Sequence, residues 1–108
     1  PYSQEQIGEY YLIYHDLMQF WNKLFEGEIY NNKYEDMVND HEVNVKKLIN
    51  FCGLKWEDKC LEHHKNSNPI KTLSINQANK PIYKTSINSS KLYSSKLFEL
   101  YSILDRLD

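Results

Sequence analysis

Acidic residues are missing from a long stretch of this chain: residues 65–96 contain no Asp or Glu but six lysines. Arginine is nearly absent throughout, with Arg106 alone, so there is no arginine stripe of the kind that grips nucleic acid, and a pI near 6.1 argues the same way. Cysteine is scarce too. Cys52 and Cys60, eight residues apart in helix-like contexts, make no disulfide framework and fit free thiols in a reducing, cytoplasmic setting. No apolar run is long enough to span a membrane. The start, Pro1-Tyr2-Ser3, has neither an initiator Met nor a basic-then-apolar leader, from which further sequence upstream is expected.

What is present is unevenly placed. Up to His64 there are six lysines against twelve acids, and the last twelve residues are again acidic, so a net charge of −2 conceals a strong segregation. Among the lysines of residues 65–96 lie Thr72, Ser74, Asn76, Gln77, Tyr83, Thr85, Ser86, Ser89 and Ser90. Cations supply a field and short neutral donors fix orientation, a combination suited to a multiply charged anion such as phosphate or sulfate.

At 108 residues, with 41% hydrophobic and 26% charged residues, the chain is one folded domain or part of one. Ile7, Tyr11, Tyr14, Met18, Trp21 and Phe25 recur three or four apart and predict an amphipathic helix over 4–25, ended by Gly27. Ile29 and Tyr34 suggest a short strand over 28–34. Asn39 and Asp40 offer cap chemistry for a helix over 41–52, with Val45, Leu48, Ile49 and Cys52 as its stripe and Gly53 as its stop. A short helix is expected over 57–64 and a last one over 94–107, burying Leu97, Leu100, Tyr101 and Leu104. Trp21, Phe51 and Trp56 read as core. Pro69 opens an irregular polar stretch to about Ser90, and a loop of that length in a small domain usually serves a site. The expected class is mainly α: about four helices, one short strand and one long polar loop.

Candidate chemistry is sparse outside that loop. Cys60, His63 and His64 invite a zinc reading, but adjacent histidines leave a helix on different sides and no second ligand pair completes a shell, so no metal is expected. Thr72 and Ser74, two apart, would share a face in an extended segment. Without an adjacent base, Ser74 suits hydrogen bonding to an anion rather than covalent attack.

The order of motifs is itself informative. Tyr34-Glu35-Asp36-Met37-Val38 is followed by Leu48-Ile49-Asn50-Phe51-Cys52-Gly53-Leu54-Lys55-Trp56, Cys60-Leu61, Thr72-x-Ser74-x-x-Gln77, Pro81-Ile82-Tyr83-x-x-Ser86 and Tyr93. With Gly8-Glu9-Tyr10-Tyr11 and Leu17-Met18-x-x-Trp21, this series resembles the C-terminal part of a bacterial sulfotransferase, of the kind associated with tetratricopeptide repeats, and more distantly the tyrosylprotein sulfotransferases. The resemblance implies a C-terminal fragment, over 1–108, of a P-loop-type α/β sulfotransferase domain. It further implies the co-substrate 3′-phosphoadenosine 5′-phosphosulfate, a hydroxyl acceptor of unknown identity, and a parent chain of the kind that carries tetratricopeptide repeats upstream. By the same resemblance Ser74 is the catalytic hydrogen-bond donor to the transferring sulfuryl group. Tyr34, Thr72, Gln77, Lys80, Pro81, Tyr83 and Lys84 are its nucleotide-side residues. The phosphate-binding loop, the general base and the Arg/Ser pair for the sugar phosphate have no counterpart in this chain, so the fragment alone is expected to be inactive. The pattern departs from the family at Ser89-Ser90, where a basic residue and Trp are usual. A stand-alone helical protein-interaction module is the alternative reading.

Overall fold

A computed structural model describes residues 2–107, the side chain of Ile75 excepted. The chain divides into two compact units, Pro1–Ile29 with Asn88–Asp108, and Tyr30–Ile87.

The first unit is built on α1, Gln4–Leu24. Ser3 starts it with a reciprocal cap: its Oγ accepts from the Gln6 N–H at 3.1 Å while the Gln6 carboxamide accepts from the Ser3 N–H at 2.9 Å. Two of the free N–H groups at the helix start are thereby satisfied. α1 packs on a short C-terminal helix, Phe98–Leu104, labelled α5 because three other helices intervene. No side chain of its own caps α5. Gln4 does so from α1, accepting from the Leu100 N–H at 3.2 Å and donating to the Lys96 carbonyl at 2.6 Å. The helices meet most closely where Gly8 faces the buried Ile103; a Cβ at Gly8 would lie 2.8 Å from Ile103 Cγ2. Arg106 and Glu9 add an exposed ion pair at 2.7 Å.

That close approach rotates α1 away from its expected orientation. The protected row is Gln4, Gly8, Leu12, His15, Met18 and Asn22, whereas Ile7, Tyr11, Tyr14, Trp21 and Phe25 are exposed. Trp21 is 37% exposed, although it stacks on Phe25 with ring centres 5.7 Å apart, so it is not the core residue expected. The expected C-terminal helix is also shorter. Ser89–Lys96 form 3-10 turns, and α-helical bonding holds only from Phe98 to Leu104 before another 3-10 turn, Asp105–Leu107. Ser89, Ser90, Ser94 and Ser95 explain this, because serine hydroxyls compete for backbone groups and weaken α-helix.

The expected strand over 28–34 does not form, and no strand occurs among the described residues. Tyr34 instead begins α2, Tyr34–Asn39, whose first turn carries Glu35 and Asp36 where the helix dipole favours acids. α3, His41–Phe51, follows at once. Asp40 makes no side-chain cap at the junction. Asn44 holds the corner, its amide donating to the carbonyls of Asp36 (2.8 Å) and Asp40 (2.9 Å), and His41 Nδ1 donates to the Met37 carbonyl at 3.2 Å. Val38 and Val45 are buried between the two helices, at 4% and 9% exposure. Gly53, at φ +69°, stops α3 as expected. Its N–H reaches the Asn50 carbonyl and the Leu54 N–H reaches Ile49, the paired bonds that close a helix through a left-handed residue. Phe51, expected in the core, is 41% exposed and packs on Tyr30 with the rings tilted by 47°; Trp56 is half-buried beneath the Lys46 ammonium. The expected helix over 57–64 is two 3-10 turns, Asp58–Leu61 and His63–Lys65, separated at Glu62 where φ is −117°. The polar stretch that follows contains one short helix, α4, Ile75–Ala78. No described helix is long and apolar enough to cross a membrane.

Candidate functional site

The polar stretch folds back on α2. Pro81 fixes its own φ and lacks an N–H, so the chain around it cannot join a helix or a sheet interior and runs as an exposed loop. Local bonds shape the segment before it: the N–H groups of Gln77 and Ala78 reach the Ser74 carbonyl at 3.0 and 2.9 Å, and the Lys80 N–H reaches Gln77 at 3.2 Å. Across a gap of seventeen residues, His63 Nε2 donates to the Lys80 carbonyl at 2.9 Å.

Between this loop and α2 lies a cavity of about 320 Å³. Tyr34 and Val38 form its α2 side, and Ser74, Gln77, Lys80, Pro81 and Tyr83 its loop side, with His63 and Ile82 also in the wall. Six of the eight residues expected from the sequence thus line one space. Lys84 lies in an adjoining groove with His41, His64 and Ile82. Thr72 is exposed and lines neither space.

The electrostatics of the wall are one-sided. No described residue lining the cavity is acidic, and among the described residues Lys80 and Lys84 have no carboxylate partner. Hydroxyl, amide and ammonium groups line the space together with two phenol rings and the His63 imidazole, whose Nε2–H is engaged by the Lys80 carbonyl, a set that can hold an anion beside a flat heterocycle. Within the second unit, Lys65 and Lys71 line neither space. Lys65 is tied to Glu62 at 2.6 Å, and Lys91 and Lys96 belong to the first unit. The hydrogen bond from Lys65, and then its charge, hold the Glu62 carboxyl below the usual range.

His63, Val38 and Ile82 are wall residues to which the sequence assigns no part in this site. Val38 and Ile82 stand in the motif series without a role, and the sequence offers His63 only as a metal ligand, its partner Lys80 being too remote in sequence to be read from spacing. Cys60 and His63 do not become a metal centre; among the described residues no group of three His, Cys, Asp or Glu side chains could hold an ion. Two imidazole nitrogens near the adjoining groove, His41 Nε2 and His64 Nδ1, are buried without a partner.

Comparison with known proteins places this geometry in context. Over 88 residues the chain is 39% identical to a protein of Aquifex aeolicus (strain VF5) described as uncharacterized. That match covers 82% of this chain but only 12% of the relative's length. No solved structure matches significantly. Residues 1–58, which include α1, α2 with Tyr34, and α3, match the sulfotransferase family. By that match the chain belongs to the sulfotransferase family.

Proposed function

We propose that this chain supplies the nucleotide-side wall of a sulfotransferase that uses 3′-phosphoadenosine 5′-phosphosulfate, as the C-terminal portion of a larger catalytic domain. The observation that carries the reading is the gathering of Tyr34, Ser74, Gln77, Lys80, Pro81 and Tyr83 around one cavity without a carboxylate. Its volume, near the lower end for small-molecule sites, suits part of a nucleotide rather than all of it.

In sulfuryl transfer the acceptor oxygen forms a bond to sulfur as the bond from sulfur to the phosphate oxygen breaks. The acceptor's proton goes to a base outside this chain, and adenosine 3′,5′-bisphosphate leaves with the electron pair. Negative charge grows on the leaving phosphate, so position and electrostatics are what a protein contributes, as in phosphoryl transfer. In this reading the Ser74 hydroxyl donates to an equatorial sulfuryl oxygen, and the Gln77 amide donates to the phosphate. The ammonium groups of Lys80 and Lys84 offset the leaving-group charge. Tyr34 and Tyr83 pack against base or sugar, while Pro81 keeps the loop stiff. Thr72, away from the wall, has at most an outer contact.

The test is NMR of the full-length polypeptide titrated with adenosine 3′,5′-bisphosphate. Amide signals of Ser74, Gln77, Lys80 and Tyr83 are expected to shift in a saturable way. Saturable binding that leaves those signals unmoved would remove the site assignment. The exposed aromatic face of α1, with Tyr10 76% and Phe20 56% exposed, is what favours the rival reading of an interaction module. That rival predicts no nucleotide response at all.

A further inference from the structure

We propose that His63 is a positioning residue of this site, setting Lys80 relative to Ser74 through its hydrogen bond to the Lys80 carbonyl. The inference rests on reading the cavity as the sulfonucleotide site, and concerns a residue that lies beyond the family match and that the sequence pattern offers only as a metal ligand. Three hydrogen bonds form a continuous relay. The Ser74 carbonyl accepts from Gln77 N–H, the Gln77 carbonyl accepts from Lys80 N–H, and the Lys80 carbonyl accepts from His63 Nε2. The first two are local turns. The third joins the loop to a different element, the 3-10 turn His63–Lys65.

Lys80 is therefore held at both ends of its backbone. Its N–H is bonded to Gln77, its carbonyl to His63, and the next residue, Pro81, has a fixed φ. Anchoring both peptide groups fixes the direction in which the Lys80 side chain leaves the backbone, and only the side chain's own rotamers remain free. A carbonyl oxygen can only accept, so Nε2 carries the hydrogen. Gaining a second proton at Nδ1 would not break the tie, since the imidazolium also donates from Nε2. The ring is further steadied by His64, edge-to-face at 5.6 Å. A substitution that keeps an N–H donor at this reach should keep the site, and one that keeps only bulk should not.

The experiment compares wild type, His63→Gln and His63→Leu in the full-length polypeptide. Without nucleotide, imidazole ¹⁵N spectra are expected to show His63 as the Nε2–H tautomer, and His63→Leu should displace the amide signals of Ile82 and Tyr83 while His63→Gln restores them. With adenosine 3′,5′-bisphosphate, His63→Leu should weaken binding by about fivefold, the worth of one hydrogen bond, and His63→Gln should stay close to wild type. Unmoved signals of Val38 and Val45 verify that the fold is intact. An Nδ1–H tautomer, undisplaced loop signals in His63→Leu, or failure of Gln to rescue would each overturn the proposal. The Nε2–H tautomer in wild type and the loop displacement in His63→Leu, together with no nucleotide binding by wild type, would sink the sulfonucleotide reading and leave His63 as the loop's anchor.

Discussion

Ser74 is fixed by its backbone, since its carbonyl accepts two turn bonds, and this leaves the hydroxyl available to a ligand. On the proposed function, replacing Ser74 by Ala in the full-length polypeptide should lower kcat by about 10²-fold with little change in KM, as for loss of a single donor to a developing anion. Lys80→Met should act the other way, raising KM more than it lowers kcat, because its charge is felt by bound nucleotide before and during transfer. An equal fall in both parameters for the two variants would contradict this division of roles. Glu62, next to His63, offers a pH readout. Its carboxyl is held below the usual range first by the Lys65 hydrogen bond and then by the Lys65 charge. A depressed folded value means the pair's contribution is present above the unfolded carboxylate range and lost as pH falls through the lower folded value. Full exposure and salt screening keep that contribution small, so the expected signature is spectroscopic. The Glu62 side chain should titrate below other exposed glutamates, and Lys65→Met should bring it back among them.

Among the elements, α1 shows how a correct periodicity can mislead about a face. The spacing of Ile7, Tyr11, Tyr14, Met18, Trp21 and Phe25 does yield a helix, observed as Gln4–Leu24, but the seam with α5 runs one row over because Gly8 admits Ile103 at close range. A hydrophobic count gives glycine no weight, so that seam is invisible in composition. Gly8→Ala tests it. Alanine raises helix propensity by about 1 kcal/mol, whereas forcing a Cβ against Ile103 costs about 1–3 kcal/mol, and the net expectation is destabilisation by about 1 kcal/mol in chemical denaturation. In an Ile103→Ala background, which removes the clashing Cγ2, the same change should become neutral or stabilising, and a cycle without such coupling would refute the contact. The Gly53 stop was legible as a residue type. The segment 28–34 was not, because alternation over so few residues does not separate an extended stretch from the approach to a helix, and Glu35 and Asp36 decide the matter through the dipole of α2.

For the whole molecule, charge is the property that sequence conveyed well in amount and poorly in place. The six lysines of residues 65–96 read as one field, yet Lys91 and Lys96 fall in the other unit, Lys65 is paired with Glu62 and Lys71 lines neither space, so within the second unit the cavity wall holds Lys80 and the groove beside it Lys84. Gathering of the site was legible only through the order of motifs, since Tyr34 and Ser74 are forty residues apart and no local pattern joins them. The match to the family itself ends at residue 58, before every wall residue of the loop. A net charge of −2 with two unpaired lysines at the site makes a definite statement about salt. Long-range repulsion between an acidic protein and a polyanionic nucleotide is screened beyond about 8–10 Å at 0.1–0.15 M ionic strength, while attraction to ammonium groups in contact range is screened less. Affinity for adenosine 3′,5′-bisphosphate should therefore fall only gently as salt is raised over that range. In Lys80→Met the attractive share shrinks while the repulsion stays, so the dependence should flatten or reverse sign. A wild-type affinity that rises with salt, or a Lys80→Met variant with an unchanged slope, would show that the field at this wall does not come from Lys80.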